Sequence, residues 1–244
     1  MKECSKSLVR RLGDSRFVRN YFVGEGIDIG GAPDPLELYQ HLFPLCRNIT
    51  TWDIDDGDAQ YMNSVSDNIF DFVHSSHCLE HLDDPFAGIA NWMRILKPGG
   101  HLVVTIPDED LYEQGVFPSR FNKDHKWTFT INKKDSWSAK SISIFRLIDS
   151  ISGACKVLKV ELLNTTYDYN IVNYDQTLTP VSECGIELIL RKTAGYLPEA
   201  TARYVHNESL CRHYNQYRED IEIIKRANRD KLPFQNTSPL FVRK

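Results

Sequence analysis

Apolar residues fall along this chain in two rhythms. Short apolar runs closed by glycine or by polar turns recur at 26–31, 49–53, 72–75 and 101–106, and each reads as a buried strand. Between the third and fourth, Phe86, Ile89, Trp92 (or Met93) and Leu96 share one stripe at helical spacing. A helix is therefore expected over 85–96, stopped by Lys97-Pro98-Gly99-Gly100. Helices are also expected over 5–22, with Leu8, Leu12 and 18–21 on one face, and over 35–43. Strand and helix alternating at this spacing predict parallel βαβ units. The fold class is α/β: a doubly wound, mostly parallel seven-stranded sheet with helices on both faces. Downstream, 141–152 reads as a helix, and 157–163 and 185–191 as strands. The tyrosine-rich stretch 164–184 between those strands is expected to pair as an antiparallel hairpin at the sheet edge. Residues 208–231 carry Leu210, Tyr214, Tyr217, Ile221 and Ile224 at alternating four and three spacing. That seam has coiled-coil periodicity and points to a homodimer, or to packing of the helix on its own domain.

The 244 residues are 41% apolar and 25% charged, enough to bury one large core. A single domain over 1–244 is expected: a cofactor-binding core at 24–108, acceptor-side loops at 109–184, and a C-terminal helix and tail at 205–244. No apolar run approaches the roughly 20 residues of a membrane span. The basic, polar stretch 1–20 lacks the pattern of a signal peptide, which implies a cytoplasmic location. Six cysteines without metal-type spacing read as free thiols. The net charge of −4 conceals a middle, 21–190, that carries −13 between basic ends. An acidic centre is a poor surface for nucleic acid, which rewards clustered cations.

Chemistry concentrates where strands end, because ligands of open α/β sheets bind beyond the carboxyl ends of the strands. Asp28-Ile29-Gly30-Gly31-Ala32-Pro33 follows the first strand, and its small residues let a ligand approach the backbone. Asp53 closes the second strand, where an acidic residue suits a ribose diol. A dinucleotide fingerprint fails on position, since Gly24-Glu25-Gly26 precedes the strand rather than following it. Gly57-Asp58-Ala59 comes next. After it stand Asp67-x-x-Phe70-Asp71-x-Val73, Leu79-Glu80-His81-Leu82-x-Asp84-Pro85 and Leu96-Lys97-Pro98-Gly99-Gly100.

This ordered set, spanning about 24–108, resembles the class I S-adenosylmethionine-dependent methyltransferases. The resemblance implies a Rossmann-like methyltransferase fold and S-adenosylmethionine as cofactor, with S-adenosylhomocysteine as product. It implies that Asp28, Gly30, Gly31 and Ala32 face the methionine part, that Asp53 holds the ribose, and that Ile54 beside it also belongs to the cofactor site. Asp58 and Ala59 would meet the adenine, and Ser75, Ser76 and His77 would border the sulfonium. One departure stands out: Ala32 and Asp34 replace the second and third glycines of the family's turn.

Methyl transfer to a hydroxyl needs a base, and histidine is the natural one near neutral pH. His125, in Asp124-His125-x-x-x-Phe129-Thr130, is the first candidate; His81 is the second. The wording around His125 resembles methyltransferases of bacterial capsule and surface-polysaccharide clusters. Arg120, Lys126, Trp127, Tyr167 and Tyr169 are candidate acceptor contacts, suited to a small polar, phosphorylated or nucleotide-linked molecule. No metal cluster shows in the spacing, so no metal is expected. The rival readings are a cofactor-binding regulatory protein without transferase activity and an RNA methyltransferase.

Overall fold

In the computed structural model, β1 (Gly24–Ile29) lies between β2 (Cys46–Trp52) and β3 (Phe70–Ser76), parallel to both. The structure describes residues 2–194. β4 (Leu96–Pro107) continues the sheet parallel to β3. β8 (Gly185–Lys192) then pairs antiparallel with β4, and β7 (Cys155–Leu163) antiparallel with β8. The order is β2-β1-β3-β4-β8-β7. The reversal between β2-β1 and β3-β4 makes the crevice at the carboxyl ends of β1 and β3.

Side chains alternate cleanly between the two faces of the sheet. Val73, Leu102, Val104, Leu188 and Leu190 point into one core, against α2 (Pro85–Ile95) and α3 (Ile144–Asp149). Phe72, Val103 and Ile189 point into the other, under α1 (Glu3–Gly13) and the turns after it. The sheet needs glycine at one central position: a Cβ on Gly26 would lie 2.0 Å from the ring of Phe72.

A buried ionic chain pins α1 to this second face. Arg10 and Arg11 both reach Glu187 on β8, at 2.7 and 3.4 Å, and Lys159 joins them at 2.9 Å. Arg11 Nη1 also lies 3.0 Å from His74 Nε2. A guanidinium only donates, so Nε2 accepts and Nδ1 carries the proton. That Nδ1–H donates to Asp28 Oδ1 at 2.6 Å. The N-terminal helix is thereby tied through the sheet to the turn after β1.

The described residues supply six strands to the main sheet. Four expectations need correction. The stretch 164–184 forms turns rather than a hairpin, because its side chains capture the backbone. Gln176 accepts from Asp168 N and donates to Asp168 O, and Asp175 accepts from Thr177 N. The expected helix 5–22 breaks after Gly13, where Asp14 binds Arg16, and resumes as a π-helical turn, Phe17–Tyr21. Residues 36–42 form a 3-10 turn instead of an α-helix. The expected helix 141–152 opens as strand: β6 (Ser141–Ser143) pairs with β5 (Thr128–Thr130) before α3 begins. The C-terminal helix, its apolar seam and the dimer drawn from it lie outside the described residues.

Candidate active site

The turn after β1 is fastened from below. Asp28, 1% exposed, spends Oδ1 on His74 and accepts the Leu36 amide at 2.6 Å on Oδ2. Its carboxylate therefore braces the turn from within. Gly30 has φ +74, and a Cβ there would sit 2.7 Å from the Cβ of Cys78. Only glycine lets this turn lie against the segment after β3.

Asp53 braces the same turn from the other side. Oδ2 accepts the Ala32 amide and Oδ1 the Ile54 amide, each at 2.8 Å. Each oxygen keeps capacity to accept from a further donor. The 57–60 loop is stapled to α2: Trp92 Nε1 donates to Ala59 O at 2.8 Å, and Asn91 to Gln60 O at 3.0 Å. Asp84 caps α2 by accepting from Phe86 and Ala87. Its own amide donates to Gln60 at 2.8 Å.

These pieces enclose a cleft of about 570 Å³, lined among others by Gly30, Ala32, Asp53, Ile54, Asp58 and Ala59. On its far wall stand His77, His81 and Lys126. A smaller cavity of about 60 Å³ adjoins Asp28, Gly31, Ser76 and His77. Ser75 is turned away: its hydroxyl donates to Ile29 O within the sheet.

Beyond His77 lies a buried polar cluster. His125 is 4% exposed, and its Nδ1 is 2.7 Å from Glu113 Oε1. Glu113 ends a π-helical turn, Glu109–Glu113, which Asp108 caps by accepting from Asp110 and Leu111. Glu80 is fully buried, and neither of its carboxylate oxygens has a hydrogen-bond partner. Lys126 N donates to Glu80 O at 2.9 Å, which holds the His125 loop against Glu80. His81 and His125 meet edge to face, 5.0 Å between centroids.

The surroundings set the protonation of these groups. Burial pushes the Glu80 carboxyl up to about 7, with His125 pulling it back. Burial works against protonation of His125, but the Glu113 hydrogen bond and the charges of Glu80 and Glu113 outweigh it. His125 therefore holds its proton above the ordinary histidine range. Burial drives His77 down to about 3, with His125 pushing the same way.

The expected site residues divide accordingly. Gly30, Ala32, Asp53, Ile54, Asp58, Ala59, His77, His81 and Lys126 share one cleft, and His125 sits against His81. Trp127 spends its indole N–H on Leu82 O and packs on the core. Arg120 donates to Asn173, and Tyr167 stacks on Tyr169 at 4.9 Å; none of the three lines the cleft. Glu80 and Glu113 escaped the reading of the chain. A glutamate beside a histidine in Leu79-Glu80-His81 was the available signal for one of them.

A mostly parallel sheet, a glycine turn after its first strand and an acidic residue after its second define a nucleoside-cofactor enzyme of the α/β class. Residues 6–140 match the family model described as a methyltransferase domain, and the chain belongs to that family. A 64-residue segment is 38% identical to an uncharacterized methyltransferase of Schizosaccharomyces pombe. The match covers 26% of this chain and 22% of that protein. An S-adenosylmethionine-dependent methyltransferase from Archaeoglobus fulgidus superposes with a TM-score of 0.45 and 18% identity, over 79% of this chain and 95% of that one. The N-methyltransferase NodS from Bradyrhizobium japonicum gives 0.46 and 15%, over 78% and 95%.

S-adenosylmethionine is the methyl donor expected of a methyltransferase domain, and the cleft fits it. The volume lies within the range of roughly 300–1,000 Å³ usual for small-molecule sites. Asp53 presents acceptors for a diol, and Ile54, 87% exposed at the mouth, presents apolar surface to a base. The close Gly30–Cys78 approach keeps side chains out of the turn.

Proposed function

We propose that the chain transfers a methyl group from S-adenosylmethionine to a hydroxyl or amine of a small polar acceptor. The acceptor class we favour is a phosphorylated or nucleotide-linked precursor of a bacterial capsule or surface glycan. The observation that carries the transfer is the buried His125–Glu113 pair beside the cleft. Its Nε2 has no hydrogen-bond partner, and the ring packs edge to face on His81, a residue of the cleft wall.

The cofactor supplies a methyl group already activated by a positive sulfur. What the chain must add is alignment and, for a hydroxyl acceptor, removal of a proton. Asp53 would hold the ribose, and Asp58 with Ala59 the adenine. Glu113 accepts from Nδ1 of His125, so Nε2 is the nitrogen that, once deprotonated, takes the acceptor's proton. Lys126 at the rim pairs with exposed Asp83 at 2.7 Å and would exchange that partner for a phosphate. The acidic middle of the chain disfavours an RNA acceptor. No helix of the described residues is long and apolar enough to cross a membrane.

A mass-spectrometric screen of sugar nucleotides and phosphorylated amino-alcohols for the gain of one methyl group tests the proposal. His125→Asn should lower kcat by about 10²–10⁴ and leave cofactor affinity unchanged. Wild-type kcat in that variant would remove His125 from the role.

A further inference from the structure

Glu80 poses a question that the cofactor cleft does not answer. A buried carboxylate with both oxygens unpartnered is among the costliest arrangements a protein can hold unless a proton or a cation joins it. The nearby lysines are engaged elsewhere: Lys6 with Glu3, Lys126 with Asp83, Lys133 with Glu109 and Asp110. The groups that face Glu80 are imidazoles. Nδ1 of His77 lies 3.6 Å from Oε1, and Nε2 of His81 and Nε2 of His125 each 3.9 Å. That is too far for a hydrogen bond. One ligand atom from each of Glu80, His81 and His125 lies within 4.8 Å of the other two.

The far side of each ring gives an independent observation. Nδ1 of His125 meets the Glu113 carboxylate at 2.7 Å, and Nδ1 of His81 meets the Asp124 carbonyl at 3.1 Å. Both partners only accept, so both Nδ1 atoms carry a proton, and Nε2 of each ring is the atom left for an ion beside Glu80, which would displace any second proton from His125. A carboxylate or carbonyl behind each imidazole is the arrangement that orients metal-binding histidines. Two neutral imidazole nitrogens with one carboxylate oxygen suit zinc, cobalt or manganese better than calcium.

We propose that Glu80, His81 and His125 form a binding site for a divalent transition-metal ion, supported from behind by Glu113 and the Asp124 carbonyl. His81 also lines the cofactor cleft, so the ion stands where the acceptor is expected. Its use there rests on the methyl-transfer reading, whereas the site itself does not. With the ion bound, His125 is a ligand and no longer a base. An acceptor hydroxyl held by the ion then gives its proton to solvent, and the ion's charge stabilises the oxygen anion left behind. In the ion-free protein His125 takes that proton itself.

The test uses the untagged full chain, stripped with a chelator and titrated with cobalt(II) followed by visible absorption, and with zinc followed by calorimetry. One equivalent should bind. His81→Gln and Glu80→Gln should each weaken binding at least 100-fold, and Glu113→Gln about 10–100-fold. His81 is partly exposed, so its variant keeps the fold, which circular dichroism verifies. Absence of stoichiometric binding, or equal affinity in the His81 and Glu80 variants, overturns the site. S-adenosylhomocysteine affinity is measured on the same samples without metal. Loss of that binding with metal binding intact would overturn the functional reading and leave the metal site standing.

Discussion

Replacing Asp53 with alanine separates cofactor recognition from folding. The side chain makes two short bonds to backbone amides, Ala32 and Ile54 at 2.8 Å, and stands half-buried at the cleft wall. In the proposed complex the same oxygens also accept from the ribose hydroxyls. Hydrogen bonds to a charged group contribute about 1.5–3 kcal/mol when buried, and partial exposure brings this toward the lower end. Loss of the diol contacts and slackening of the turn together amount to about 1–3 kcal/mol. Each 1.4 kcal/mol is tenfold in Kd, so S-adenosylhomocysteine should bind about 5–150-fold more weakly. Asp53→Asn should fall between, since one oxygen survives but the amide nitrogen opposes a backbone donor. Calorimetry at two ionic strengths reads the effect. The ribose is neutral, so the loss should be the same at both. An affinity within twofold of wild type would refute the ribose assignment.

Two further perturbations act on the frame. Gly30→Ala places a Cβ 2.7 Å from Cys78 Cβ and 2.8 Å from its Sγ, at φ +74, and should lower stability by about 1–2 kcal/mol and weaken cofactor binding; an unchanged melting curve would contradict the close packing. Burial alone would raise the Glu187 pKa, but Arg11, Arg10 and Lys159 together hold it down at about 2. A carboxylate depressed in the folded state stabilises above its unfolded value, 4.5, and that stabilisation is lost as pH falls towards 2. Glu187→Gln should therefore destabilise by about 3–5 kcal/mol at pH 7, by stranding buried cations, and flatten the acid limb of urea-unfolding stability between those pH values. An acid limb as steep as wild type would count against the pairing.

The lining of the cleft was legible because its parts are consecutive. Gly30 to Ala32, Asp53 to Ile54 and Asp58 to Ala59 each stand at a strand end or a turn, and strand ends are marked by apolar runs stopping at glycine or aspartate. The buried cluster beside the cleft was hidden because its parts come from separate segments. Glu80 follows β3, Glu113 closes a π-helical turn after β4, and His125 sits on a loop held to Glu80 by one backbone bond. Nothing in their spacing announces that they meet. The 164–184 stretch misled for a different reason. Its tyrosines, Ile171 and Val172 have strand propensity, but its Asp, Asn and Gln side chains satisfy the backbone locally and leave nothing for a ladder. The break in the first helix and the strand at Ser141–Ser143 likewise follow from contacts absent from the local pattern: the Asp14–Arg16 pair and the pairing with β5.

The most direct test of the account is a crystal structure of the chain with S-adenosylhomocysteine. The ribose hydroxyls should lie on Asp53, the adenine against Asp58 and Ala59, and the sulfur beside His77. The open side of the sulfur should face the cluster of Glu80, His81 and His125. A ligand seated elsewhere, or one whose sulfur faces away from that cluster, would contradict it.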